Sequence, residues 1–165
     1  MVFLSKSEKE TQKIAGDLVL KTLKSKGPII VILEGELGAG KTTFVKGFAK
    51  ALGIKVKVKS PTFTLMKTYK VSSLKKLQIT NYKLQTNSKF KIPNSKFLVH
   101  LACYRVRDHK DLATLDLKTV FNTPDSIVLI EWPERVSKIL PKKLIKVHID
   151  HIGENKRKIY INLTT

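Results

Sequence analysis

The chain has little with which to cross-link itself. Of its 165 residues one is cysteine, Cys103, which excludes a framework of intrachain disulfides and any metal site built from clustered cysteines. A lone cysteine reads as a small buried hydrophobe. Acid is scarce as well: 13 Asp and Glu stand against 32 Lys and Arg, a formal charge of +19, and residues 66–99 hold eight lysines and no acid. A surface of that sign attracts polyanions, nucleic acid first among them. Long apolar runs are also missing. None approaches the ~20 residues of a membrane span, and residues 1–13 have the wrong order of charge and hydrophobicity for a secretory signal, so no membrane is expected and the compartment is expected to be the cytoplasm. Neither an internal repeat nor a linker divides the sequence, and its length suits one domain over residues 1–165 that buries on the order of 70% of its unfolded surface.

What is present is concentrated in residues 28–43. An unbroken apolar run, Ile29-Ile30-Val31-Ile32-Leu33, is too short for a typical helix and leads directly into Gly35-Glu36-Leu37-Gly38-Ala39-Gly40-Lys41-Thr42-Thr43. Its spacing, Gly-x-x-x-x-Gly-Lys-Thr, is that of a phosphate-binding loop opening a helix. Glycines at 35, 38 and 40 let the backbone turn successive N–H groups toward a polyphosphate. Lys41 supplies a compact cation for the β and γ phosphates, Thr42 a hydroxyl for Mg²⁺, and the following helix its positive dipole end. The candidate nucleotide contacts are therefore Glu36, Leu37, Gly38, Ala39, Gly40, Lys41, Thr42 and Thr43. At this composition the spacing would arise by accident in about one chain per hundred, and the strand pattern before it and the helical pattern after it lower that figure.

Around this centre the periodicity is legible. Ser7-x-x-Glu10 is a capping-box pattern, and Ile14, Ala15, Leu18 and Val19 recur at helical spacing up to Gly27-Pro28, which predicts a helix over about residues 7–25. The helix after the loop, residues 41–52, gathers Phe44, Val45, Phe48 and Leu52 on one face and ends at Gly53. Ile54, Val56 and Val58 alternate with Lys55, Lys57 and Lys59, which predicts a half-exposed strand with a solvated lysine face. Residues 66–99 read as an irregular hairpin rather than a core element, with short alternations at Ile79, Tyr82 and Leu84; a lysine-rich insertion lies around residues 70–96. Strand character resumes at 97–105, a helix is predicted at 108–121 and is broken by Asn122-Thr123-Pro124, and Ile127-Val128-Leu129-Ile130 is a second fully buried strand. Glu131 at its end is the candidate carboxylate for Mg²⁺ or its waters. Pro133 suits the first turn of a short helix through Leu140, and residues 142–152 and 157–163 alternate as a closing hairpin around Gly153-Glu154-Asn155. His148 and His151 fall on opposite faces of such a strand, so no metal site is expected there. The fold class is α/β: a P-loop NTPase-like three-layer sandwich with a mainly parallel sheet and antiparallel strands at the C-terminal end.

Four blocks together resemble the TsaE (YjeE) family, the bacterial P-loop ATPase of tRNA threonylcarbamoyladenosine synthesis. They are the loop at residues 35–43, Ser60-Pro61-Thr62-Phe63-Thr64-Leu65, His100-x-x-x-Tyr104-Arg105, and Ile130-Glu131-Trp132-Pro133-Glu134-Arg135. The resemblance implies a weak ATPase, with ATP and Mg²⁺ as cofactors, that joins TsaB- and TsaD-like subunits of a threonylcarbamoyl transferase complex and reaches tRNA through that complex. It also implies catalytic roles for Lys41, Glu131 and Thr62, the last near the γ phosphate in a switch-like loop, with Trp132 close to the nucleotide or serving as packing. Two departures stand out. The family block His-x-Asp-x-Tyr-Arg has Ala102 in place of its acid, and the interval before His100 is longer than usual by the lysine-rich segment. A nucleotide-binding docking subunit without significant hydrolysis is the alternative that Ala102 keeps open. A small-molecule kinase is a further one, disfavoured by only four arginines, Arg105, Arg107, Arg135 and Arg157. The guanine-reading Asn-Lys-x-Asp pattern of a GTPase is absent, Asn155-Lys156-Arg157-Lys158 being the nearest approach.

Overall fold

A computed structural model describes residues 1–23, 27–61, 64–71, 97–107, 111–112, 115–124 and 126–164. The two apolar runs of the sequence lie side by side as its central strands. They are β2 (Ile29–Glu34) and β5 (Ile127–Glu131), which pair in parallel with Ile29 opposite Ile127 and Leu33 opposite Glu131. Strands covered on both faces need apolar residues at every position, and β5 is buried throughout. On either side of this pair the parallel arrangement continues, to β4 (Phe97–Ala102) beside β5 and to β6 (Leu144–Gly153) beside β2. Beyond β6 come β7 (Lys156–Thr164) and β1 (Val2–Ser5), both antiparallel to their neighbours; beyond β4 lies β3 (Met66–Lys70), also antiparallel. The seven-stranded order is β1-β7-β6-β2-β5-β4-β3.

Side-chain alternation on the central strands divides the core in two. Val31, Leu33, Ile127 and Leu129 face α1 (Glu8–Thr22) and α2 (Lys41–Ala51), while Ile30, Ile32, Val128 and Ile130 face Val106, Leu112, Val136 and the short helix α3 (Leu117–Asn122). The result is three layers. At the start of α1, Ser7 accepts from the Glu10 N–H at 3.1 Å and the Glu10 carboxylate accepts from the Lys6 N–H at 2.6 Å, a variant of the expected capping box. Phe44, Val45, Phe48 and Leu52 are all buried along α2, as its periodicity predicts. The two helices approach so closely that a Cβ on Gly47 would overlap the backbone of Gln12. Gly47→Ala is therefore expected to force the helices apart and destabilise the fold by about 1–3 kcal/mol, despite the better helix propensity of alanine, as read by chemical denaturation.

Three expectations are corrected. Residues 54–59 form no strand: Ile54 and Val58 are buried but Val56 is 63% exposed, and the edge of the sheet is taken by β3 instead. Residues 66–70 pair antiparallel with β4 but are a strand of the main sheet rather than outside the core, with Tyr69 buried against the α1–α2 side. Of the helix expected over 108–121, the described residues hold an α-helix over Leu117–Asn122, where Asp116 adopts a left-handed conformation (φ 41°) and caps a new start by accepting from the Thr119 N–H at 3.4 Å. Its apolar residues Leu112, Leu117 and Phe121 are nevertheless core. The first strand, β1, is an addition: four residues are too few to show a period. After β5 the chain enters a 3-10 helix (Pro133–Ile139) with Pro133 in its first turn, and the closing hairpin is present as β6 and β7. Residues 72–96, and with them the lysine-rich segment and its alternations at Ile79, Tyr82 and Leu84, lie outside the described residues.

Candidate nucleotide-binding site

The loop between β2 and α2 owes its shape to three glycines. Gly35, Gly38 and Gly40 take φ of 134°, 80° and 108°, values that residues with a Cβ rarely adopt. Two of them are also pressed against the C-terminal hairpin. A Cβ at Gly35 would overlap the Ile149 carbonyl oxygen of β6, and one at Gly40 would stand 2.6 Å from Arg157 Nε of β7. Ala39 N–H closes the turn onto the Glu36 carbonyl at 3.2 Å, leaving Leu37 at the crest, 79% exposed. Gly40 is the N-cap of α2 and no side chain caps that end, so the first-turn N–H groups are open to an anion.

Lys41 is the charge at the centre of this cradle. It is buried, and its Nζ donates to the Gly35 carbonyl at 2.6 Å and the Glu36 carbonyl at 2.8 Å while lying 3.9 Å above the Trp132 ring. Burial lowers its pKa from the ordinary lysine value, against the opposing pull of the Glu131 and Glu134 carboxylates. Carbonyl dipoles and an aromatic face are weaker partners for a desolvated ammonium than an anion would be. Thr43, one residue beyond Thr42, is turned inward and buried.

Glu131 sits across from this lysine because β5 ends beside the start of the loop. Its carboxylate is buried and accepts from the Thr42 hydroxyl at 3.2 and 3.3 Å. On its other side His100, fully buried on β4, lies with Nε2 2.8 Å from Glu131 Oε1; an ionised carboxylate only accepts, so the ring nitrogen is the donor. His100 Nδ1 is then left without a partner. Ala102 follows two positions later on the same face of β4, opposite Glu131 in the parallel register, and offers only a buried methyl group. Trp132 adopts φ 63° as the chain leaves β5, and its ring also meets Tyr104 with centroids 5.1 Å apart.

The structure thus brings Lys41, Thr42, Glu131 and Trp132 together around the loop formed by Glu36, Leu37, Gly38, Ala39 and Gly40, with Ala102 beside them. Thr62 lies outside the described residues. Three participants carried no expected role in the sequence: His100, Tyr104 and Arg157. The first two stand inside a recognised block, and His100 shares a strand face with Ala102, which is a usable signal. Arg157 lies 118 positions from Ala39 in the chain, and its only signal is being an arginine where lysine is the rule. Cys103 is the inert buried residue expected, its thiol pushed up to about 12 by burial and by the Glu134 carboxylate.

A donor set of this kind fits Mg²⁺ and a nucleoside triphosphate: a glycine loop with an uncapped helix start, a buried ammonium without a strong anion of its own, and a hydroxyl held against a carboxylate. The family model described as threonylcarbamoyl adenosine biosynthesis protein TsaE matches residues 5–159. The tRNA threonylcarbamoyladenosine biosynthesis protein TsaE of Haemophilus influenzae is 35% identical over 136 residues, 82% of this chain and 72% of its own. The Aquifex aeolicus protein of the same name is 34% identical over 157 residues, 94% of this chain and 90% of its own. A crystal structure of Bacillus subtilis YdiB superposes with a TM-score of 0.70 at 27% identity, covering 100% of this chain and 86% of that one. A match running from the end of β1 into β7 takes in the loop, the His100 block and Glu131-Trp132 in their order, and on that ground the chain belongs to the TsaE family.

Proposed function

We propose that the protein binds ATP with Mg²⁺ at this loop, hydrolyses it slowly, and serves the threonylcarbamoyl modification of the tRNA adenosine beside the anticodon. The observation that carries the reading is the meeting of Lys41, Thr42 and Glu131 at the mouth of a three-glycine loop. The relatives' names supply the pathway. In this reading the protein works in the cytoplasm with TsaB- and TsaD-like subunits, through which tRNA is reached. Residues 1–165 act as one ATPase domain in this reading, with the lysine-rich insertion around 70–96. Among the described residues no helix is long and apolar enough to cross a membrane.

Bound ATP would supply the phosphoanhydride and Mg²⁺ the neutralisation of its charge. The chain's own residues divide the remaining work. The loop N–H groups and Lys41 hold phosphate oxygens, Thr42 and Glu131 hold the metal or its waters, and Trp132 with Tyr104 walls the site on the side of β5. Thr62 is assigned to the γ phosphate. His100 keeps the Glu131 carboxylate turned toward Thr42. A nucleotide-binding docking subunit without significant turnover is the second reading, favoured by the methyl group of Ala102 beside Glu131. A kinase is less well supported, because the arginine nearest the loop, Arg157, is buried beneath it rather than carried on a lid.

The test is calorimetric titration with ATP, with and without Mg²⁺. Mg²⁺ is expected to tighten binding by the intact chain, and Thr42→Val to remove about tenfold of that gain while leaving metal-free binding in place. No ATP binding by the intact protein would overturn the reading.

A further inference from the structure

The closing hairpin does more than complete the sheet, since it forms the floor of the loop. Arg157 of β7 is only 7% exposed, and its Nε donates to the Ala39 carbonyl at 3.2 Å while its Nη1 donates to the Asn155 carbonyl at 3.2 Å. Among the described residues no carboxylate pairs with it. A guanidinium withdrawn from water with two carbonyls as its partners is costly, and it stands directly behind a loop built for anions.

From this geometry we infer that Arg157 is a positioning residue for the phosphate loop. A trans peptide is planar, so its C=O and the next residue's N–H point in opposite directions. No peptide bond in the described chain is cis. By gripping the Ala39 carbonyl from the hairpin side, Arg157 turns the Gly40 N–H away from the hairpin, to the side on which Lys41 and the start of α2 lie. The same contact explains why residue 40 has no side chain: a Cβ there would stand 2.6 Å from Nε and 3.0 Å from Cδ of Arg157. The guanidinium and the glycine therefore form one unit. The arginine fixes the peptide, and the glycine leaves room for the arginine. The charge behind the loop also favours a polyphosphate in front of it.

This inference rests on the reading of the loop as a polyphosphate site, and the experiment separates the two. ADP without Mg²⁺ is titrated into the intact protein, Arg157→Met, Arg157→Ala, Gly40→Ala and the double variant of Arg157→Ala with Gly40→Ala, each confirmed folded by its melting transition; Met keeps much of the stem's packing and lacks the donor and the charge, whereas Ala removes the stem as well. Arg157→Met is expected to weaken ADP binding about tenfold, the range of one charge-assisted hydrogen bond. Gly40→Ala is expected to cost affinity heavily in the intact background and several-fold less in the Arg157→Ala background, since part of its harm is the clash with Cδ and Nε, which only Ala removes. Where turnover is measurable, KM should rise more than kcat falls, because the loop holds ground state and transition state alike. A folded Arg157→Met that binds ADP within twofold of the intact protein, or effects of Arg157→Ala and Gly40→Ala that simply multiply, would overturn the positioning role while leaving the loop's reading intact. An intact protein that binds no ADP would remove both.

Discussion

Lys41→Ala will weaken ATP binding by about 2 kcal/mol, roughly thirtyfold, and leave no measurable turnover. The lysine is held ready by groups that it can give up. Its two carbonyl partners, on Gly35 and Glu36, belong to the loop itself, and the Trp132 ring lies 3.9 Å away. None of these is an anion, so a phosphate oxygen arriving at the loop would exchange weak neutral contacts for a charge-assisted one. Burial has already removed much of the competing hydration, which is why the pKa of Lys41 is lowered before any ligand is present. Alanine loses that gain and leaves the two carbonyls without a donor. Stability should change little, because a costly desolvated charge is removed along with its hydrogen bonds. Lys41→Arg should not rescue binding, since a broad planar guanidinium does not fit where a point charge sits between two carbonyls and a ring. The measurement is ATP titration with thermal melting as the control for folding. Unchanged affinity in a folded Lys41→Ala would mean that the loop does not use this residue as a phosphate ligand.

Which parts of this site could be read from the sequence follows from what is local and what is not. The loop, the strand before it and the helix after it are consecutive in the chain, and their chemistry is written in glycine spacing, an apolar run and a helical period. Glu131 was legible because β5, like β2, is covered on both faces and so shows as a continuous apolar run with a carboxylate at its end. Edge strands carry no such mark. In Met66–Lys70 only Tyr69 is buried, so β3 looks like polar loop, whereas Ile54, Val56 and Val58 alternate as a strand would without a neighbour to take their backbone hydrogen bonds. Periodicity reports which side chains a strand would bury and not whether a partner strand exists. The support for the loop is the least local feature of all. Gly35 meets Ile149 and Gly40 meets Arg157 only after the chain has crossed the sheet and returned, so nothing near either glycine announces the contact.

The second large effect expected is a gain. Ala102→Asp should raise ATP hydrolysis on the order of a hundredfold, the range that a positioned acid or base contributes, while changing ATP affinity little. Ala102 and Glu131 are register partners on adjacent parallel strands, and His100, which holds Glu131, lies on the same face of β4 as Ala102. A carboxylate at position 102 would therefore stand beside Glu131, where the family pattern has its acid. There it can orient a metal-bound or attacking water, which a methyl group cannot. Binding is expected to survive the change because it depends on the loop, Lys41 and Thr42. Two neighbouring carboxylates repel when no cation lies between them, and position 102 is only 2% exposed, so the variant should melt lower than the intact chain without nucleotide and recover more when Mg²⁺ and ATP are added. That pattern separates a carboxylate in the site from one turned elsewhere. Glu131→Gln should nearly abolish what hydrolysis remains, since the amide keeps the shape but lacks the charge. The measurement is phosphate release at saturating ATP and Mg²⁺ with and without the proposed TsaB- and TsaD-like subunits, alongside melting with and without ligand. Rapid hydrolysis by the intact chain with no gain from Ala102→Asp would mean that the second carboxylate is not needed here, or that another group supplies it. Slow hydrolysis restored by that one substitution would instead identify the intact protein as a nucleotide-dependent docking subunit whose turnover is limited by a single missing acid.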